Sequence, residues 1–172
     1  MIARVPPIVP GSRADLAAIE SSIASERGQV SLLYQVLLNS APLADGWRAL
    51  LTAIRNRSSL PPALREIVIL RVAVLNRAPF EFDAHAPLAK AAGVDDGRLA
   101  ALRADVPGAP FTAHERAVIA LTDAITRDVQ VPDALFEPLR GYFDDRGLVE
   151  LVATVAAYNM VSRFLEALRI GH

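Results

Sequence analysis

The chain has 172 residues, a length that suits one domain of ordinary size. Eighteen Lys and Arg balance nineteen Asp and Glu, leaving a net charge of −1 without a block of like charge, which argues against a nucleic-acid partner. Cysteine is absent, and with it thiol peroxidase, disulfide exchange, zinc-ribbon and iron–sulfur chemistry, each of which needs a thiolate. Apolar residues make up 52% of the chain and mean hydropathy is +0.30, values that suggest a partner subunit covering part of the surface and hence a homo-oligomer. The start lacks a signal-peptide core, and the apolar run 67–75 is broken by Arg71 and too short to span a bilayer. The expectation is a cytoplasmic protein with no membrane partner.

Residues 1–11 carry Pro6, Pro7, Pro10 and Gly11 and are expected to form an extended arm, free to pack on a neighbour, ahead of a single helical domain over 12–172. Ser12 and Asp15 resemble a capping box, Leu16, Ile19 and Ile23 follow helical spacing, and Gly28 ends that first helix after Arg27. The same reasoning predicts helices over 31–39, 42–57, 61–76, 80–92, 96–104, 113–127, 133–142 and 145–168. No alternating run is long enough for a sheet, so the fold class is all-α. Pro61 and Pro79 suit first turns, Gly93 a left-handed helix end, and Thr112 with Glu115 a second capping box. Pro87 lies inside a predicted helix and removes the amide partner of the Asp83 carbonyl, so a kink is expected there. The 60–64 and 131–135 segments echo one another, as do 64–68 and 148–152, which hints at duplicated helical hairpins.

The chemistry concentrates between Leu64 and His85. The helix that opens this stretch is apolar enough to be buried, yet it carries Glu66 and Arg71. A buried carboxylate must be paired, hydrogen-bonded or protonated. Five residues separate the two, about 140° around an ideal helix, so the partner of Glu66 must come from another segment. Glu81 and His85 lie four apart on the next helix and share a face, where a carboxylate can orient an imidazole. Whether Glu66 reaches that pair depends on how the helices cross.

The stretch resembles the carboxymuconolactone decarboxylase family and its alkylhydroperoxidase-like branch, over most of residues 40–105. In the redox branch a Glu precedes a C-x-x-C motif and a His follows its second Cys by four. Here Glu66 and His85 fit, while Ala78 and Glu81 stand at the two thiol positions. The run from Asn76 to Glu81, closing on His85, is more similar to the decarboxylase branch. The resemblance implies an alkylhydroperoxidase-like helical fold, trimers or hexamers, and decarboxylation of a small lactone acid without metal or organic cofactor. It implies His85 as proton donor, Glu81 orienting it and Glu66 completing a relay, with Arg77 or Arg71 holding a substrate carboxylate. Phe80 and Phe82 flank Glu81, where one could line the pocket, although core packing is the plainer reading.

Two other functions stay open from the residues: an isomerase or hydratase using the same acid/base pair, and a silent helical assembly protein. A metal on Glu81, His85 and Glu66 is a weaker reading, because E-x-x-x-H is far less specific than H-E-x-x-H. His114 falls in an exposed first turn and His172 at the frayed end, so neither is taken as a ligand. Trp47, Tyr34 and Tyr158 suit the core or an interface. The polar run Tyr158 to Arg163 inside an apolar helix suits a buried hydrogen-bond site or a subunit contact equally.

Overall fold

The computed structural model describes residues 3–172, so the first two residues of the expected arm lie outside the described chain. Among the described residues nine α-helices follow in order: α1 (Ala17–Arg27), α2 (Leu32–Leu37), α3 (Ala41–Thr52), α4 (Pro62–Leu75), α5 (Pro79–Ala91), α6 (Asp96–Ala101), α7 (Ala113–Asp128), α8 (Asp133–Phe136) and α9 (Asp145–Leu168). Among the described residues there is no strand, and the fold class is all-α as the periodicity predicts. The chain divides into two compact units, one of residues up to Arg57 with Leu165–His172, the other Ser58–Phe164.

In the first unit the proline-rich segment is extended and bonded to its own chain. Arg4 donates its backbone amide to the Leu168 carbonyl and Ile8 to Gln35, both at 2.9 Å. Asn39 Nδ2 donates to the Pro6 carbonyl at 3.0 Å. The Ser12–Asp15 capping box does not form. The chain instead enters through a 3₁₀ turn at Ala14–Leu16 whose cap is Arg13, and the Asp15 carboxylate pairs with the Arg13 guanidinium at 2.5 Å. The Ser12 amide, from which the Asp15 carboxylate would accept in a capping box, donates instead to the Val9 carbonyl at 3.0 Å. Gly28 takes the left-handed conformation predicted for it, with φ 82°. The helix predicted over 42–57 is regular only to Thr52 and widens into a π turn at Ala53–Arg57.

In the second unit α4 packs against α5 and α7. Ile67, Leu70 and Ala73 of α4 meet Phe82 and Ala89 of α5, together with Leu99, Leu102, Phe111 and Ile119. The corner between α4 and α5 places the site. Arg77 adopts φ 54°, its amide donates to the Val74 carbonyl at 3.1 Å, and the Ala78 amide reaches back to Ala73 at 2.8 Å. This is a Schellman closure with arginine where glycine is usual, at a steric cost of about 1 kcal/mol. It lets Pro79 start α5 two residues later and folds that helix back on α4. Pro87 is accommodated within α5 without ending it, and the Thr112–Glu115 capping box is complete at the head of α7.

By length and hydropathy α9 could cross a membrane, but 56% of its most apolar window is buried within the protein. Its polar residues are bonded inside the unit: Asn159 Nδ2 donates to Thr126 Oγ1 at 2.9 Å, and Asn76 Nδ2 donates to Asn159 Oδ1 at 3.0 Å. The polar run of α9 is therefore an internal hydrogen-bond network tying the end of α4 to α7.

Near the head of α9, Glu150 Oε2 accepts from the Ser59 hydroxyl at 2.6 Å and the Ser59 amide at 2.7 Å. These donors, with Arg146, hold the Glu150 carboxyl at about 2 instead of 4.5. A carboxyl depressed on folding contributes its stability in full above about 4.5 and loses it as pH falls toward 2. Ser59→Ala is expected to raise the Glu150 pKa partway to the ordinary value and to flatten that acid dependence, as read from urea midpoints between pH 5 and about pH 2. An unchanged acid profile would show that the contact is not formed in solution.

Candidate active site

The corner brings Glu66 on α4 and His85 on α5 together. His85 Nδ1 lies 2.7 Å from Glu66 Oε2, with the histidine side chain 9% exposed and the glutamate side chain 4%. With the carboxylate as acceptor, Nδ1 is the donor of this bond and Nε2 is the ring nitrogen that Glu66 does not hold. The Tyr158 ring meets the imidazole edge to face, centroids 5.1 Å apart and planes at 88°, which limits how the ring can tilt. On the other side of Glu66, Arg65 Nε stands 3.6 Å from Oε1. The carboxylate thus lies between a guanidinium and an imidazole.

Glu81 is also buried, 2% exposed. Its Oε2 accepts a short hydrogen bond from the Ser162 hydroxyl of α9, and the same hydroxyl contacts the Tyr158 carbonyl at 2.9 Å. The i, i+4 relation puts Glu81 and His85 on one face, as expected, but the partner holding His85 Nδ1 comes from α4 across the hairpin. Among the described residues no three His, Asp or Glu side chains are grouped as a metal ion requires.

The candidate substrate residues separate. Arg71 is fully buried and spent on structure. Its Nε and one terminal nitrogen grip both oxygens of Asp123 at 2.6 Å, and the terminal nitrogens also donate to the carbonyls of Leu102, Ala104 and Asp105 at 2.6–2.9 Å. Arg77 is exposed at the corner and lines a hollow of about 370 Å³ with Ala73, Val74, Ala78, Pro79, Phe82 and Arg103, a lining that includes none of Glu66, Glu81 or His85. Phe82 is 6% exposed, belongs to the core, and carries the Arg103 guanidinium 3.9 Å above its ring. Phe80 is half-buried. His114, expected in solvent, is half-buried and stacked on Tyr142 with centroids 4.3 Å apart, because the residues after the 3₁₀ turn at Glu137–Gly141 fold over the head of α7.

Sequence reasoning missed three members of the site. Tyr158 and Ser162 lie far along the chain, and only the polar character of the Tyr158–Arg163 run marked them. Arg65 was hidden beside Glu66, since neighbours on a helix point about 100° apart and only a long side chain can swing back.

Residues 41–124 match the model of the carboxymuconolactone decarboxylase family. The uncharacterized protein YdfG of Bacillus subtilis (strain 168) is 28% identical over 109 residues, which cover 62% of this chain and 74% of that protein. An uncharacterized peroxidase-related protein from Silicibacter sp. TM1040 superposes with a TM-score of 0.83 at 17% identity, over 98% of this chain and 90% of its own. The debrominase Bmp8 superposes with a TM-score of 0.80 at 16% identity, over 96% of this chain and 90% of its own. At these identities the structures establish the alkylhydroperoxidase-like helical fold and leave the chemistry to the site.

Proposed function

We propose that this chain, whose residues 41–124 match the model of the carboxymuconolactone decarboxylase family and contain no thiol, is a general acid/base lyase. It releases carbon dioxide from a small carboxylated lactone or related enolisable acid. The observation that carries the reading is the buried 2.7 Å contact of His85 Nδ1 with Glu66 Oε2. A carboxylate that fixes one ring nitrogen and offsets the charge of the imidazolium prepares the other nitrogen to give and regain a proton.

When the substrate's C–CO₂ bond breaks, its electron pair enters the conjugated lactone carbonyl and forms a dienolate. His85 Nε2 then protonates the carbon, the electrons return from oxygen, and solvent reprotonates the imidazole. Glu66 keeps the ring in position and compensates its positive charge. Glu81, fixed by Ser162, adds a second buried carboxyl group on the same helix face as His85. Burial of the group keeps bulk water from the dienolate, so protonation comes from a positioned donor.

The protein is also proposed to assemble as trimers or hexamers. Leu43 and Leu50, seven residues apart on α3, are 50% and 45% exposed, a pair of apolar side chains on one helix face. Light scattering at micromolar concentration should show an oligomer, and a monomer would reject the assembly.

The function is tested by screening carboxylated lactones and other enolisable acids for carbon dioxide release. Release by the wild type is expected for at least one lactone acid. Isomerised or hydrated products without carbon dioxide would reassign the acid/base pair, and an inert panel would leave the assembly role.

A further inference from the structure

The reaction needs a group that accepts charge on the carbonyl oxygen, and the two arginines most prominent in the sequence do not supply it at the dyad. Arg71 is saturated by Asp123 and three carbonyls, and Arg77 lines a separate hollow. Arg65 differs. Its side chain is 15% exposed, its Nε is buried without a hydrogen-bond partner among the described residues, and it approaches Glu66 Oε1 only to 3.6 Å. That separation is an ionic contact and exceeds hydrogen-bond length. A buried guanidinium N–H left unmade is costly, and such groups in folded proteins are normally satisfied by a partner or a ligand. Here the unmade donor lies against the same carboxylate that orients His85.

We propose that Arg65 is a catalytic residue that binds the lactone carbonyl oxygen and stabilises the dienolate formed as carbon dioxide leaves. The inference rests on the lyase reading above. Glu66 then has two jobs, orienting the proton donor through Oε2 and holding the oxyanion donor through Oε1. In the first step the C–CO₂ pair moves into the ring and the negative charge settles on the carbonyl oxygen, where the guanidinium N–H groups donate to it. In the second step the charge returns as the carbon takes the proton from His85. Carbon dioxide departs, one proton enters, and no oxidant or reductant is needed. The guanidinium engages the oxygen that gains charge and not the departing carboxylate, since tying the latter would hold back its loss. The class of ligand is therefore a lactone enolate.

Tetronate, the stable enolate anion of a small lactone, is the probe, and its uncharged methyl ether the control. Binding is followed by the NMR signals of the His85 ring in the intact protein, so no turnover is required and the outcome is independent of the carbon dioxide screen. Wild-type protein is expected to bind tetronate at least tenfold more tightly than the ether. Arg65→Gln is expected to abolish that preference while the ether binds as before, and Arg65→Lys, which keeps a charge but not the planar fork, to restore part of it. Absence of tetronate binding at millimolar concentration, equal affinity for anion and ether, or a preference that survives Arg65→Gln would overturn the assignment. A protein that shows the preference yet releases no carbon dioxide from any lactone acid would retain the anion site and lose the lyase reading.

Discussion

Arg71→Leu is expected to destabilise the protein by about 3–5 kcal/mol, enough to unfold a domain of ordinary stability under mild denaturant. The side chain is 0% exposed and is the largest among the fully buried ones. It satisfies both oxygens of Asp123 on α7 and the carbonyls of Leu102, Ala104 and Asp105, which follow α6. Leucine restores apolar contact but leaves a mostly buried carboxylate and three carbonyls without their donor, and the loss of one partner of a buried pair costs far more than the pair contributes net. Arg71→Lys should recover only part of the loss, because an ammonium cannot meet a bidentate carboxylate and three carbonyls at once. Urea denaturation reads the effect directly. A loss below about 1 kcal/mol would mean that water replaces the guanidinium at this site, against the burial seen.

His85→Gln is expected to keep the fold and to lower turnover by roughly 10²–10⁴, the span for removal of a positioned acid or base. Glutamine fills most of the same space and can still meet Glu66 Oε2, so thermal stability should change little while the transferable proton is lost. Glu66→Gln separates catalysis from structure at the same contact. It preserves an oxygen to accept from Nδ1 but removes the charge that favours the imidazolium. The expected result is a clear loss in kcat with the melting temperature nearly unchanged. If stability falls sharply and turnover per folded molecule does not, Glu66 is a structural counterion for Arg65 and His85.

The helical fold was legible because its punctuation is local. Gly28, Gly93, Pro79 and the Thr112–Glu115 box act on the chain within a turn of themselves, and each is found in the expected role. Ser12 is not the cap because its amide closes a turn onto the Val9 carbonyl and the chain enters the 3₁₀ turn one residue later, at Arg13. The site was legible in its residue types and not in its pairing. A helix face can be counted from sequence, which brought Glu81 and His85 together. The Glu66–His85 contact instead depends on how tightly the α4–α5 corner closes, which turns on a left-handed Arg77 that no propensity favours. Partners distant in sequence lay beyond counting altogether: Ser162 is 81 residues from Glu81, and Asp123 is 52 from Arg71.

The central claim is that the Glu66–His85 pair delivers a proton to carbon without a thiol. It is tested most directly by converting a lactone acid identified in the carbon dioxide screen in D₂O, with wild type and His85→Gln side by side, and reading product deuterium by mass spectrometry. The wild type should place one solvent deuterium on carbon for each carbon dioxide released, and the variant should do so at least a hundredfold more slowly. Deuterium incorporation at the wild-type rate in His85→Gln would contradict the account.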